Sequence, residues 1–447
     1  METPICDFTR DYVRRSPLRL HMPGHKGVGP LGFEALDITE FEGADSLYEA
    51  AGIIRQSEEN ASSLFGCPTF YSAEGSSLCI RAMLYLCMLR ARELGRPLHI
   101  AAGRNAHKTF LTAAALLDFE LTWLYPENGS GYLSCAPDAA SLDRQLSIME
   151  EAPLAVYLTS PDYLGNTVDV QAVSAVCRRH GCLLLVDNAH GAYLRFLPTS
   201  LHPMDLGADL CCDSAHKTLP VITGGAYLHI SPTAPEVFRS RVKDSLAMFG
   251  STSPSYLILQ SLDALNPYLN GPYPERLAAF LPAAVALKEA LSRHGYTLVG
   301  DEPLKLSLFT KPFGYTGTDF ARLLAEQDII CEFFDPDYTV MMLSPEQGEG
   351  MLQQLQQVLT AIARKAPIPD RAPALGKAQQ VLRIRDAAFS PCETVPVEEA
   401  LGRIYAGTGM ACPPAVSPVV CGERIESHTI EQLRYYGFAT CPVIPET

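Results

Sequence analysis

The middle of the chain alternates short apolar runs with stretches that have helical periodicity. The apolar runs predict five strands, at residues 98–102, 154–159, 182–186, 209–212 and 225–230. Residues 77–92 and 170–180 instead repeat apolar side chains every three or four positions, which predicts helices. Strands that are apolar along their whole length and separated by helices are typical of a mostly parallel sheet covered on both faces. We therefore predict a three-layer α/β fold for this region.

After the last of these strands the pattern changes. A helix, two strands, a helix, two strands and a helix follow one another between residues 271 and 365, which predicts a small α+β domain. The Pro-rich stretch 366–376 has the composition of a linker. The predicted organisation is thus an N-terminal segment at 1–60, a large domain at 61–270, the small domain, the linker, and a C-terminal domain at 377–447.

The composition fits a folded globular protein, and the charge indicates which classes of molecule it can bind. Of the 447 residues, 47% are hydrophobic and 19% are charged, and the formal net charge is -15. An acidic surface disfavours nucleic acids and anionic membranes, and it attracts cationic small molecules. The sequence has no apolar run long enough to span a bilayer and no apolar signal core near its first residues, so we expect a cytoplasmic protein. The cysteines are scattered and lack zinc spacing, so we expect reduced thiols and no metal.

Four short polar segments next to the predicted strands and helices contain the candidate catalytic and cofactor-binding residues, and we call these segments polar islands. The first is Glu74-Gly75-Ser76-Ser77, directly before a predicted helix. Glycine lets the backbone turn sharply, and two hydroxyls with the free amides of a helix N-terminus form a good phosphate site. The alternative is an ordinary N-cap. The second island, around His107, follows the first predicted strand, where a histidine can lie flat on a bound aromatic ring or be a plain surface residue.

Two further islands place a carboxylate and an amine at the ends of predicted strands. Asp187 ends an apolar strand, three residues before His190. A carboxylate there needs a partner, which could be a protonated pyridine nitrogen, a salt bridge or a helix cap. Lys217 follows another strand, behind Ser214-x-His216. A lysine between apolar strands loses its charge readily, and a neutral amine forms an imine with an aldehyde.

Together, a phosphate turn, a stacking histidine, a strand-end aspartate and a lysine match the parts of a pyridoxal 5'-phosphate (PLP) site. In this interpretation Lys217 carries the cofactor as a Schiff base and Asp187 keeps the ring nitrogen protonated. His107 stacks on the ring, and His190 lies near the phenolic oxygen of the ring. The predicted phosphate ligands are Gly75, Ser76, Ser77, Ser214 and His216.

The chain also resembles the Orn/Lys/Arg decarboxylase family in its short bacterial form. The resembling stretches are HMPGHKG (21–27), DITE (37–40), RNAHKT (104–109), TSPDYLG (159–165), VDNAHGA (186–192), SAHKTLP (214–220), STSPSY (251–256) and VPVEEALGRI (395–404) with Gly422-Glu423. The resemblance implies the aspartate-aminotransferase-like (type I) PLP fold with a C-terminal decarboxylase-family domain. It also implies homodimers or multiples of dimers, in which Ser251 and Thr252 reach the cofactor of the neighbouring subunit.

The activity that this resemblance implies is the decarboxylation of lysine, arginine or ornithine to a di- or polyamine and CO₂. Three acidic residues are candidates for binding the cationic end of such a substrate, namely Glu423 in the C-terminal domain, which we favour, Asp162 after a predicted strand, and Glu74 in the predicted phosphate turn. Two alternatives remain open. One is another PLP reaction on amino acids, such as aldol cleavage, elimination or amino transfer, and the other is a PLP-binding homologue without turnover.

Three positions depart from the family pattern. Glu74 stands where Asn is usual, Asn188 where an acidic residue is usual, and Gly224 where Gln is usual. An acidic side chain beside a phosphate is unfavourable, so we expect the carboxylate of Glu74 to point away from it. These departures put the identity of the substrate, and to a lesser degree activity, in question rather than the binding of PLP.

Overall fold

The structure is a computed structural model that describes residues 1–127, 131–409 and 416–446. The chain forms two compact units, each built from separate stretches of sequence. The first unit contains residues 1–99, 152–157 and 170–277, and the second contains residues 100–151, 158–169 and 278–447. The five-part domain organisation expected from the sequence stays a prediction.

Helices and strands alternate through most of the described chain. In chain order, the α-helices are α1 (Pro4–Arg15), α2 (Ile53–Phe65), α3 (Gly75–Glu93), α4 (Lys108–Leu117), α5 (Ala139–Ser147), α6 (Val170–Arg179), α7 (Ala215–Thr218), α8 (Glu236–Ala247), α9 (Tyr256–Asn270), α10 (Pro272–His294), α11 (Gly317–Ala325), α12 (Gly348–Ala361), α13 (Ile384–Ala388) and α14 (Ser427–Tyr435). The strands are β1 (Thr69–Ser72), β2 (His99–Gly103), β3 (Glu120–Leu124), β4 (Ala155–Thr159), β5 (Leu183–Asp187), β6 (Leu210–Asp213), β7 (Ala226–Ile230), β8 (Thr297–Val299), β9 (Lys305–Phe309), β10 (Phe333–Phe334), β11 (Tyr338–Met342), β12 (Glu393–Pro396) and β13 (Thr440–Val443).

The main sheet has seven strands in the order β1-β7-β6-β5-β4-β2-β3. β5 and β6 are parallel neighbours, with Asp187 opposite Cys212. β7 runs antiparallel to β6 and to β1. The mostly parallel α/β fold predicted from the apolar runs is therefore confirmed. Because parallel neighbours end at the same edge of a sheet, the residues that follow β5 and β6 lie side by side.

In the first unit, α3 packs on the sheet beside β6 and β7. It is apolar on most of its surface, and Leu78, Ile80, Met83 and Leu84 are fully buried. A helix that is apolar on nearly all sides belongs inside a large core. This burial fixes the N-terminal end of α3 at the edge of the sheet.

The second unit contains the two smaller sheets. β10-β11-β9-β8 form a four-stranded sheet whose neighbouring strands are antiparallel. β12 pairs with β13, and their core includes Val397, Tyr405, Ile425, Leu433 and Val443. Residues 366–376 contain no helix or strand, in agreement with their linker-like composition. Across the described ranges, the chain has no helix long and apolar enough to cross a bilayer.

Candidate active site

Asp187 is the last residue of β5 and is buried. Its Oδ2 accepts a hydrogen bond from the Tyr157 hydroxyl at 3.1 Å, and its Oδ1 accepts one from the N–H of Ala189 at 3.2 Å. Burial raises the pKa of Asp187, and the charge of Lys217 opposes that rise. A buried carboxylate that is held in place and lies near a cation is suited to pair with a further protonated nitrogen.

Lys217 lies in α7, which follows β6 directly. Its Nζ is 3.2 Å from Nε2 of His190, and His190 is buried in the turn after β5. The structure therefore brings together three residues that the sequence predicted separately, Asp187, His190 and Lys217. An amine, an imidazole and a carboxylate at one sheet edge can hold a cofactor and exchange protons with it.

The predicted phosphate cradle is the N-terminus of α3. Gly75 begins this 19-residue helix with a φ of +71°, a left-handed backbone conformation that favours glycine. The Gly75 N–H donates to the carbonyl of Gly224 at 2.7 Å, which anchors the start of the helix to the chain at Gly224. The Ser214 hydroxyl donates to Oγ of Ser76 at 2.7 Å, which joins the two predicted phosphate-binding islands.

His216 is held at the edge of this cradle. Its Nδ1 lies 2.9 Å from the carbonyl of Gly225, which requires a proton on Nδ1. Burial lowers the pKa of His216, and the backbone hydrogen bond opposes that effect. In the neutral ring, Nε2 therefore carries no proton and is a hydrogen-bond acceptor. Nε2 can donate to a phosphate only if the negative charge of that phosphate stabilises the protonated imidazolium.

Two polar side-chain atoms, next in sequence to Lys217 and Asp187, are left without hydrogen-bond partners among the described residues. The hydroxyl of Thr218 and Oδ1 of Asn188 are buried and have no hydrogen-bond partner among the described residues. Both flank residues already placed at the site, Lys217 and Asp187. Buried polar atoms without partners are rare in folded proteins, so a bound group with its own donors and acceptors fits here. Thr218 was not among the predicted ligands, although it follows Lys217 in the sequence.

The three departures from the family pattern have structural explanations. The carboxylate of Glu74 accepts the N–H of Ser251 at 2.6 Å, so it ties down the segment that contains the exposed residues Ser251 and Thr252. Gly224 has a φ of +103°, and a Cβ there would lie 3.1 Å from the carbonyl oxygen of Ala73. A glutamine side chain would therefore be strained at Gly224.

The third departure, Asn188, pairs with a buried charge that the sequence did not reveal. Its Nδ2 donates to Oδ1 of Asp213 at 2.7 Å. Burial disfavours the charge of Asp213, but His202 and His229, each 3.0 Å from its Oδ2, hold the pKa of this carboxyl below its usual range. A second carboxylate at position 188 would face Asp213 directly. An amide at position 188 removes that repulsion and adds a hydrogen bond.

Replacing this amide with a carboxylate tests the pairing. In Asn188→Asp we expect the free energy of unfolding to fall by about 3 kcal/mol, because two buried carboxylates meet at hydrogen-bond distance. The exchange Asn188→Asp with Asp213→Asn restores one carboxylate and one amide but takes the carboxylate away from His202 and His229, so it should recover only part of the loss. Urea unfolding measures both. An Asn188→Asp variant that is as stable as the wild type would contradict this role for Asn188.

His107 lies in the second unit, at the N-terminus of α4. Its Nδ1 accepts the N–H of Thr109 at 3.1 Å, so the ring caps the helix. The capping bond fixes the ring plane and leaves Nε2 on the opposite side. Stacking of His107 on the cofactor stays a prediction.

Two of the three candidate ligands for the substrate cation, Glu423 and Asp162, already have partners inside the second unit. Glu423 is 1% exposed, and its Oε2 lies 3.1 Å from Nη2 of Arg104 and accepts the N–H of Val420 at 2.6 Å. Asp162 is buried and accepts the N–H groups of Leu164 and Asn166, each at 2.9 Å. Burial raises the pKa of each carboxyl. The contact of either residue with a substrate stays a prediction, and the visible role of each is structural.

Glu423→Gln separates these two roles. We expect the free energy of unfolding to fall by about 3 kcal/mol, because buried Arg104 loses its counter-charge. Activity on cationic and neutral substrates should then fall by the same factor. Glu426→Gln, at a more exposed neighbouring carboxylate, is the matched control for stability. A rise in KM confined to cationic substrates would instead assign Glu423 to the substrate.

Comparisons with known proteins agree with this geometry. The fold resembles lysine decarboxylase A from Pseudomonas aeruginosa, with a TM-score of 0.80 over 99% of this chain and 80% of that chain at 16% identity. It also resembles the Sphingomonas wittichii serine palmitoyltransferase, with a TM-score of 0.56 over 69% of this chain and 75% of that chain at 14% identity. These likenesses show that the chain has the fold of the PLP-dependent enzymes of fold type I.

The family follows from the sequence comparison. Residues 3–300 match the major domain of the Orn/Lys/Arg decarboxylases, and the chain belongs to this family. The arginine decarboxylase of Bacillus subtilis (strain 168) is 29% identical over 97% of this chain and 93% of its own length. The arginine decarboxylase of Halalkalibacterium halodurans is 27% identical over 99% of this chain and 95% of its own length. The resemblance seen in the motifs is therefore confirmed, and the protein is a PLP-dependent decarboxylase.

Proposed function

We propose that this protein decarboxylates a basic amino acid, arginine, lysine or ornithine, to the corresponding di- or polyamine precursor and CO₂. The observation that carries the proposal is the pairing of Lys217 with His190 beside buried Asp187, in a chain that belongs to this decarboxylase family. Arginine is the first substrate to test, because two relatives that match nearly the whole chain are named arginine decarboxylase.

The residues of the site take the following roles in this proposal. Lys217 holds PLP covalently, and the bound cofactor supplies the electron sink for the bond that breaks. Asp187, oriented by Tyr157, keeps the ring nitrogen protonated. His190, 3.2 Å from Lys217, holds a proton near the phenolic oxygen. Ser76, Ser77, Ser214 and His216 would bind the phosphate.

We also propose a homodimer with shared active sites. Residues 18–36 expose many large apolar side chains, namely Leu18, Leu20, Met22, Val28, Leu31, Phe33 and Leu36. An apolar stretch of this length is typical of a surface that is covered by a second subunit. Ser251 and Thr252 are also exposed within one chain, which suits residues that complete the site of the partner.

Mixing two inactive variants tests the sharing. Equal amounts of Lys217→Ala and of a Ser251→Ala, Thr252→Ala double variant are unfolded and refolded together. Half of the dimers are then hybrids, and each hybrid has one intact site of two, so we expect about a quarter of wild-type activity. The matched control refolds each variant alone. Mixtures no more active than these controls would show that each chain holds a self-contained site.

The experiment for the proposed reaction is a substrate panel. Purified protein with PLP is given carboxyl-labelled arginine, lysine, ornithine and the neutral analogue norleucine, and released CO₂ is counted. We expect one basic amino acid to exceed norleucine in kcat/KM by about 100-fold or more, since a site built for a cation leaves its polar groups unpaired with a neutral chain. Release from none of the basic amino acids would overturn the proposal.

A further inference from the structure

The turn that begins at the last residue of β5 carries two residues of the candidate site. Asp187 is its first residue and His190 its fourth, and we call residues 187–191 the β5 turn. The N–H of Gly191 donates to the carbonyl of Asn188 at 2.8 Å, which closes the turn. Asn188 is fully buried and lies between the two site residues in the sequence, so its position decides how the turn carries both of them.

The side chain of Asn188 spans the β5 turn and joins it to β6. Its Nδ2 donates to Oδ1 of Asp213, the last residue of β6, at 2.7 Å. On its other side, Oδ1 of Asn188 fills the space beside Gly191, where a β-carbon would lie only 2.0 Å from it. The amide therefore lies over the residue that follows His190, and a carboxylate holds the amide from the other end.

Asp213 is held firmly by other parts of the first unit. Its Oδ2 lies 3.0 Å from Nε2 of His202 and 3.0 Å from Nε2 of His229, and all three side chains are fully buried. Nδ1 of His229, on β7, lies 2.9 Å from the hydroxyl of Thr69 on β1. A buried polar network whose members have partners is rigid and specifies one arrangement. The carboxylate of Asp213 is thus a fixed point within the sheet.

The two oxygens of Asp213 have different partners. Oδ2 faces the two histidines, which hold the carboxylate in the sheet, whereas Oδ1 accepts the amide of the β5 turn. A hydrogen bond to a carboxylate in a dry interior is stronger than one between neutral groups. Its loss therefore frees the turn while the histidines still hold Asp213. In that case Asp187 and His190 would lose their fixed places although the sheet remains intact.

We propose that Asp213 is a positioning residue that acts through Asn188. Together the two side chains hold the β5 turn, so that Asp187 and His190 keep their places beside Lys217. The hold on the turn rests on the contacts alone, whereas its consequence for the reaction rests on the proposed function.

Hydrogen exchange in the full chain, loaded with PLP and without substrate, tests the hold on the turn. In Asn188→Ala we expect the amides of Ala189 and Gly191 to exchange about 10-fold or more faster, because the turn opens more often without its bond to the carboxylate. Asp213→Ala should speed this exchange by a similar factor. The double variant should add less than about 2-fold, since both changes remove the same hydrogen bond.

Asn266→Ala is the matched control. Asn266 is also a fully buried asparagine, and its Nδ2 donates to the Tyr71 hydroxyl on β1 at 2.8 Å and to the carbonyl of Ser57 on α2 at 3.1 Å. Its loss should lower the free energy of unfolding by an amount similar to that in Asn188→Ala. Exchange in the β5 turn should change less than about 2-fold, because the control leaves the contacts of the turn in place.

Binding of the cofactor shows whether the hold on the turn matters for the site. The dissociation constant of PLP should rise about 10-fold in Asn188→Ala, because a mobile Asp187 is no longer pre-organised for the ring nitrogen. In Asn266→Ala it should rise less than about 2-fold. The visible circular dichroism of bound PLP should weaken in the first variant and not in the control, because this signal requires a fixed orientation of the ring.

Four results would overturn the proposal. They are unchanged exchange in Asn188→Ala, the same acceleration in Asn266→Ala, additive effects of Asn188→Ala and Asp213→Ala, and an unchanged PLP affinity in a variant whose turn opens. Thermal unfolding shows whether each variant is folded. If Asn188→Ala is not, Gly191→Ala replaces it, because its β-carbon would displace the amide of Asn188. Unchanged exchange at Ala189 in that variant would equally overturn the proposal.

The test also keeps this proposal separate from the proposed function. Neither hydrogen exchange nor the binding of PLP requires turnover. The expected exchange and affinities, found together with no CO₂ release in the substrate panel, would therefore sink the proposed function alone.

Discussion

Lys217→Ala is expected to abolish both CO₂ release and the covalent retention of PLP. The amine of Lys217 lies at the end of β6, 3.2 Å from His190, and an alanine there offers no nitrogen to the aldehyde of the cofactor. After borohydride reduction and denaturation, the wild type should keep one pyridoxyl group per chain and the variant none. Mass spectrometry of the intact chain measures this directly.

Lys217→Arg is the matched control for charge. Arginine keeps a cation near Asp187 but does not deprotonate, so it does not form an imine. We expect this variant to be as inactive as Lys217→Ala while remaining closer to the wild type in stability. Lys377→Ala, at an exposed lysine, should retain full activity and full labelling. Pyridoxyl bound to Lys217→Ala protein would show that another lysine carries the cofactor.

Asp187→Asn is expected to lower kcat by about 1000-fold or more while leaving the fold intact. Asparagine keeps an acceptor for the Tyr157 hydroxyl but loses the charge that holds the ring nitrogen protonated. Tyr157→Phe is the matched control, because it removes the hydrogen bond and keeps the carboxylate. We expect it to cost about 10-fold. Steady-state kinetics on the best substrate measure both, and a near-normal kcat in Asp187→Asn would remove this aspartate from the mechanism.

The sequence predicted the large sheet and much of the candidate site because their signals are local. Apolar runs between helical stretches predicted β5 and β6 to within a residue or two at each end. Asp187 and Lys217 each follow a run of this kind, and parallel neighbouring strands bring their ends together. Gly75 before an apolar helix likewise predicted the turn and the start of α3 from four adjacent residues, and phosphate binding there stays a prediction.

Pairs of residues far apart in sequence could not be predicted. Glu423 and Arg104 are separated by 319 positions, and nothing near either residue signals that each neutralises the other. Glu423 was proposed as a substrate ligand because it lies in the C-terminal domain, and its contact with a substrate stays a prediction. The pairing of Asp213 with His202 and His229 could not be predicted either, because the three residues belong to separate parts of the fold. Tyr157 lies within an apolar strand, where its hydroxyl could have drawn attention to Asp187 on the neighbouring strand.

The central claim is that the site around Lys217 cleaves the carboxylate from a basic amino acid and no other bond. The most direct measurement is nuclear magnetic resonance of the complete reaction in deuterated water, with released CO₂ counted in parallel. The account predicts one amine formed for each CO₂ released, with a single deuterium on the carbon that carried the carboxylate. A product that keeps its carboxylate, such as a keto acid, a racemised amino acid or a chain-cleaved fragment, would contradict it.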